Sequence, residues 1–183
     1  MKDYASSHNY KYKEKDDKFL IVYPSNIIQT YQANFSNVVE GEENGITFTM
    51  GYYDRLNSNN QQIKQSIISI RNKLIDLPCF YAMAKAFFQS NNYKVYLNEN
   101  TNFTLIGRPE KVIKQLFTDK ICEAVNRFFN NSDCEYLEGI SEYLTLIYKS
   151  HLKPDQLNNL KETAIVLSSI FAMNVDFNTN HTE

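Results

Sequence analysis

Tryptophan is absent, and glycine and proline occur only 5 and 4 times in 183 residues. The scattered glycines Gly41, Gly45, Gly51, Gly107 and Gly139 form no cluster that would let backbone approach a phosphate, which removes the common dinucleotide and P-loop signatures. Cys79, Cys122 and Cys134 are too few and too separated for a disulfide framework or a paired zinc motif. Free thiols and a cytoplasmic setting follow as expectations. The three histidines, His8, His151 and His181, share no ligand spacing, so neither a metal nor a cofactor is expected. Arginine is scarce within the 19 basic residues and the net charge is -2, whereas nucleic-acid binding relies on clustered cations; nucleic acid is not an expected partner. No apolar run approaches the roughly 20 residues that cross a bilayer, and no signal-peptide segment follows Met1, so no membrane span is expected.

What is present is ordinary for a folded protein, with 43% hydrophobic and 22% charged residues. Asparagine, lysine, isoleucine, tyrosine and phenylalanine are abundant, a bias that suggests an A/T-rich coding genome. The length suits one core. Residues 1–17 are polar and of mixed charge and read as a flexible arm, 18–175 as a single globular domain, and 176–183 as a polar tail.

Periodicity supplies the elements. Phe19 to Tyr23 reads as a strand, followed by a helix through Val38 and Val39 that Gly41 ends. After the Asn44-Gly45 turn, Ile46, Phe48 and Met50 alternate as a strand. Ile63, Ile67, Ile70 and Leu74 predict a helix opened by the Ser58/Gln61 capping box, and residues 79–88 predict another. Two runs, 93–97 and 103–106, predict a hairpin. Pro109 opens the longest predicted helix, through Phe128; a Ser132/Glu135 capping box opens the next; Pro154 opens the last, through Leu157, Leu160, Ala164, Leu167 and Phe171. The resulting expectation is an α+β fold. It has a small, mainly antiparallel sheet of about four strands packed with about six helices, and a helix-rich C-terminal half.

No nucleophile, base or metal set emerges, and the expected activity leans away from an enzyme. Glu138 and Glu142 share one face of a predicted helix and read as solvated, and Gly139 inside it implies close helix packing. The helix at 79–88 and the segment from Ala164 to Met173 carry apolar residues on more sides than a small sheet covers. Phe80, Tyr81, Met83, Phe87 and Phe88 are therefore the candidate partner-binding residues. This predicts a non-catalytic protein-binding module (an adaptor, dedicated chaperone, inhibitor or immunity-type protein) whose partner is another protein or a second copy in a homodimer. The alternative is a small-molecule or anion sensor with a pocket between the hairpin and the long helix, near Arg108, Tyr93 and Tyr96.

Overall fold

A computed structural model describes residues 1–16, 34–56, 59–84, 94–95, 97, 101–131 and 134–179. Its centre is a nine-stranded sheet: β1 (Lys11–Lys15), β2 (Asn34–Glu43), β3 (Ile46–Leu56), β4 (Gln62–Arg71), β5 (Leu77–Ala84), β6 (Lys94–Val95), β7 (Phe103–Gly107), β8 (Cys134–Ser141) and β9 (Tyr143–Tyr148). The spatial order is β1-β2-β3-β4-β9-β8-β5-β7-β6, and every neighbouring pair is antiparallel. Four helices occur among the described residues: α1 (Lys2–Ser7), α2 (Glu110–Leu116), α3 (Asp119–Asn131) and α4 (Pro154–Thr179). The molecule is thus mostly sheet, and the expected four-strand sheet under six helices is incorrect.

Local chemistry explains each departure. In β4, Ser66, Ile68 and Ile70 face one way while Gln65, Ile67 and Ser69 face the other, and all six are buried. A strand covered on both sides loses its alternation of polar and apolar residues, so its isoleucines at 63, 67 and 70 imitate a helical stripe. In β5 the apolar run expected to be a helix lies inside the sheet, paired with β7 at one edge and β8 at the other, with Phe80 and Ala82 buried on one face and Tyr81 and Met83 half-buried on the other. The residues expected to form a helix after 132 instead make the β8–β9 hairpin, with Ser141 in a left-handed turn at φ 53°. Residues 34–39, expected at the end of a helix, belong to β2, while the strand expected at 19–23 lies outside the described residues.

Other expectations match. Asn44 and Gly45 take φ values of 52° and 77°, the paired left-handed conformation of a two-residue hairpin, and join β2 to β3. Strands β6 and β7 pair as Lys94 with Ile106 and Val95 with Leu105. The long helix after Pro109 exists as two pieces, α2 and α3, because the chain leaves helical geometry at Phe117, where ψ is 65°. The freed ring enters the core, 4.9 Å from Phe80 and 5.9 Å from Phe171.

Helix α4 lies across β3, β4 and β9, α3 against β8, and α2 beside β5 and β6. The main core fills the space between, from Phe48 and Ile68 to Leu144, Leu157 and Phe171. A smaller cluster of Phe35, Val38, Tyr53, Ile67 and Ile147 occupies the other face of the sheet. Within the N-terminal stretch expected as an arm, Tyr4 and Ala5 of α1 are buried, and the Tyr4 hydroxyl donates to Asn158 Oδ1 of α4 at 2.6 Å.

Candidate functional site on the outer face of the C-terminal helix

Helix α4 is seated by Leu157, Ala164, Leu167 and Phe171, all buried against the sheet. These four satisfy one apolar stripe, yet the helix carries a second. Val166 is 59% exposed and Met173 53% exposed, and with half-buried Ile170 between them they form an i, i+4, i+7 ridge on the outer surface.

Each side of this helix is bordered by a groove. One, of about 320 Å³, runs between α4 and α3 and is lined by Ala124, Phe128, Leu160, Val166 and Ile170, with Arg127 at its edge. The other, of about 550 Å³, lies between α4 and the loop after β4, where Leu74, Ile165, Ala172 and Met173 meet Lys73. Leu74 is 74% exposed. It is held outward because Asn72 is fixed from three directions: its Oδ1 accepts from the Leu74 amide at 3.0 Å, its carbonyl accepts from the Ile75 amide at 3.2 Å, and its Nδ2 donates to Ser168 Oγ at 3.5 Å. Among the described residues, no carboxylate lines either groove. Covering Leu74, Val166 and Met173 together would contribute roughly 4–5 kcal/mol before the costs of association.

The residues expected to bind a partner are distributed differently. Phe80 is fully buried beneath the helices and contacts Phe117 and Phe171. Tyr81 and Met83, on the same strand, are half-buried, and the strand's alternation sets them on the opposite face of the sheet from Phe80. Phe87 and Phe88 lie outside the described residues, as do Tyr93 and Tyr96 of the alternative ligand pocket. Arg108 is exposed just after β7, and its amide donates to the Cys79 carbonyl at 3.4 Å. The second half of the sequence-based surface, 164–173, does form part of an exposed apolar face; Leu74 was hidden by its assignment to a helix stripe.

Other polar clusters are joints between elements. His151 lies in the connection from β9 to α4, and its Nε2 meets Asp54 Oδ1 at 2.6 Å while the ring stacks 4.2 Å from Tyr52. Tyr52 in turn donates to the Leu152 carbonyl at 3.1 Å. Glu138 and Glu142 share no face: Glu138 is buried in β8, and Glu142, in the β8–β9 turn, accepts from Arg71 Nε at 2.8 Å. Burial pushes the Cys122 thiol up to about 11 and the Cys134 thiol higher, which opposes thiolate chemistry at either.

Among the described residues, Lys161 of α4 is the most enclosed cation, with a side chain 2% exposed. Its ammonium is paired with Glu43 at the end of β2 and sits 5.0 Å from the Phe48 ring and 5.4 Å from the Tyr10 ring. Burial opposes ionisation of Glu43. Hydrogen bonds from Lys161 and Tyr10, together with the Lys161 charge, outweigh it and hold the carboxyl below its ordinary range. This cluster ties α4, the β2–β3 hairpin and the N-terminal segment together.

The fold so defined is a broad antiparallel sheet with helices layered on its main core. It is similar to that of the mycobacterial trehalose monomycolate transport factor A, TtfA, whose crystal structure matches at a TM-score of 0.69 with 12% sequence identity, covering 95% of this chain and 91% of that one. At that identity the likeness is one of fold. No protein-family model and no curated protein matches the sequence. Among the described residues, no helix is long and apolar enough to cross a membrane, and no group of three or more His, Cys, Asp or Glu side chains is placed to hold a metal ion.

Proposed function

We propose that the chain is a non-catalytic protein-binding module that engages an amphipathic helix of its partner along the outer face of α4. The observation that carries this reading is the exposed ridge of Val166 and Met173 between two apolar grooves, with Leu74 on the far side. A helix laid along α4 would set one row of side chains into each groove, the ridge-into-groove arrangement by which helices pack. Among the described residues the grooves carry Lys73 and Arg127 and no carboxylate, so a partner helix flanked by acidic residues fits best. Arg127 already pairs with Glu123, which leaves Lys73 as the stronger selector.

The test is site-specific photo-cross-linking in the source cells, with a photoreactive residue at position 166, 173 or, as a control, 162. The expected result is one product of defined mass from 166 and 173 and none from 162, with the cross-linked peptide of the partner lying in a helical, acid-flanked segment. Absence of a product from 166 and 173, or the same products from all three positions, overturns the reading.

A further inference from the structure

The connection from β4 to β5 carries Leu74, the most exposed large apolar side chain among the described residues, and carries it on a rigid mount. The residues around it are sunk into the protein: Asn72 before it, and Ile75 and Leu77 after it, are all buried. The Asn72 amide donates to the Glu142 carbonyl at 2.9 Å, which ties the loop to the β8–β9 turn. Asn72 Oδ1 accepts from the Leu74 amide two residues on, the ring by which asparagine shapes a turn, and the Asn72 carbonyl accepts from the Ile75 amide. Asn72 Nδ2 reaches Ser168 Oγ, and that hydroxyl donates to the Ile165 carbonyl at 2.8 Å. One asparagine therefore joins the Leu74 loop to the stretch of α4 that supplies Ile165, Ser169, Ala172 and Met173 to the groove of about 550 Å³.

This arrangement matters for recognition. A single exposed leucine is ordinary on a protein surface. Leu74, however, borders an apolar groove together with exposed Met173, and Lys73 stands beside it. An apolar side chain on a loose loop has to be ordered when a partner covers it, and that loss of freedom opposes binding. Here the fold has ordered the loop in advance. Pre-ordered apolar side chains beside a pocket are where binding energy concentrates, because covering them removes surface from water at little entropic cost.

We infer that Leu74 is the anchor of the α4 docking surface and that Asn72 is its positioning residue. Asn72 holds Leu74 so that an acid-flanked amphipathic helix of the partner covers Leu74 and Met173 together, with an acidic flank facing Lys73. The inference rests on the reading of α4 as a docking surface.

The probe is the partner segment recovered from the photo-cross-link at position 166, synthesised with a fluorescent label and titrated with the full chain. Leu74→Ala should weaken its binding roughly tenfold or more, the value of the apolar surface lost from a covered leucine, and Leu74→Met should restore most of it. Both variants should melt near the wild-type temperature, because Leu74 faces outward. Ser168→Ala cuts the tie to α4 while leaving Leu74 in place, and should weaken binding about threefold, the value of one hydrogen bond. In the wild-type protein alone, nitrogen-15 relaxation should give the Leu74 amide an order parameter near the 0.85 or so of rigid backbone. A value below about 0.6 overturns the inference without any partner. Undiminished binding by Leu74→Ala also overturns it, and leaves the α4 surface standing. A recovered segment that belongs to this chain would make a second copy the occupant and overturn the inference. Absence of a product from both 166 and 173 removes the docking surface and the anchor together.

Discussion

Replacing Phe80 by alanine removes a ring with no exposed surface that stands edge-on to Phe117 at 4.9 Å, lies 5.8 Å from Phe171, and faces Gly139 across the β5–β8 ladder. No solvent reaches the space it vacates, and the neighbouring rings are held by their own strands and helices, so collapse is incomplete. The cost should fall near the middle of the range for buried Phe→Ala, about 4 kcal/mol. At a urea slope of about 2 kcal/mol/M, the unfolding midpoint falls by roughly 2 M. Gly139 provides the internal check, because a Cβ there would lie inside the van der Waals shell of the Phe80 ring. Gly139→Ala alone should cost about 1–3 kcal/mol through overpacking. In the Phe80→Ala background both ring contacts are gone and only Leu77 Cδ1, at 3.0 Å, has to give way, so the double variant should recover about 1–2 kcal/mol relative to additivity. Urea unfolding followed by circular dichroism measures all three variants. A loss below about 1 kcal/mol for Phe80→Ala, or strict additivity with Gly139→Ala, would refute the placement of this ring at the centre of the core.

The Lys161 cluster gives two further expectations. Lys161→Ala leaves a cavity and an unmatched carboxylate and should cost about 2–3 kcal/mol, less than a fully buried pair because Glu43 still reaches water; Lys161→Met, which keeps the volume, should cost about 1 kcal/mol, both read by urea unfolding. The folded-state pKa of Glu43 lies below its unfolded value, so its stabilising contribution is complete above the ordinary carboxylate value of about 4.3 and is lost as pH falls through the lower folded value. The difference in melting temperature between wild type and Glu43→Gln should therefore shrink as pH falls from 6 to 3, and a constant difference would count against the assigned pairing.

The elements legible in the sequence are those with one exposed face or a strong terminal signal. Pro154 followed by Leu157, Ala164, Leu167 and Phe171 marks α4 without ambiguity, and Asn44-Gly45 marks the turn into β3, although β2 before it read as the end of a helix. Strands β4, β8 and β9 were hidden because both of their faces carry buried residues, as Gln65, Ser69, Glu138 and Thr145 on one side and Ile68, Leu137 and Leu144 on the other make plain, and β5 because its apolar residues fall on both of its faces. Buried polar residues at alternate positions look like the wet side of a helix when the sheet around them is unknown. Gly139 signalled close packing, but against a ring on the next strand and not against a helix. Of the candidate site, the excess apolar surface at 164–173 was visible as a second stripe on α4. Leu74 was not, because its exposure follows from a loop fixed by Asn72 and Ser168, whose side chains lie 96 positions apart in the chain.

Equilibrium unfolding of the Val166→Asp/Met173→Asp double variant, run alongside recovery of the cross-linked complex, bears most directly on the role assigned to α4. Because both side chains face outward, the unfolding free energy should stay within about 0.5 kcal/mol of the wild type, while the complex captured from that face disappears. A loss of stability above about 2 kcal/mol would make the two residues part of the core, and an undiminished complex would place the partner elsewhere.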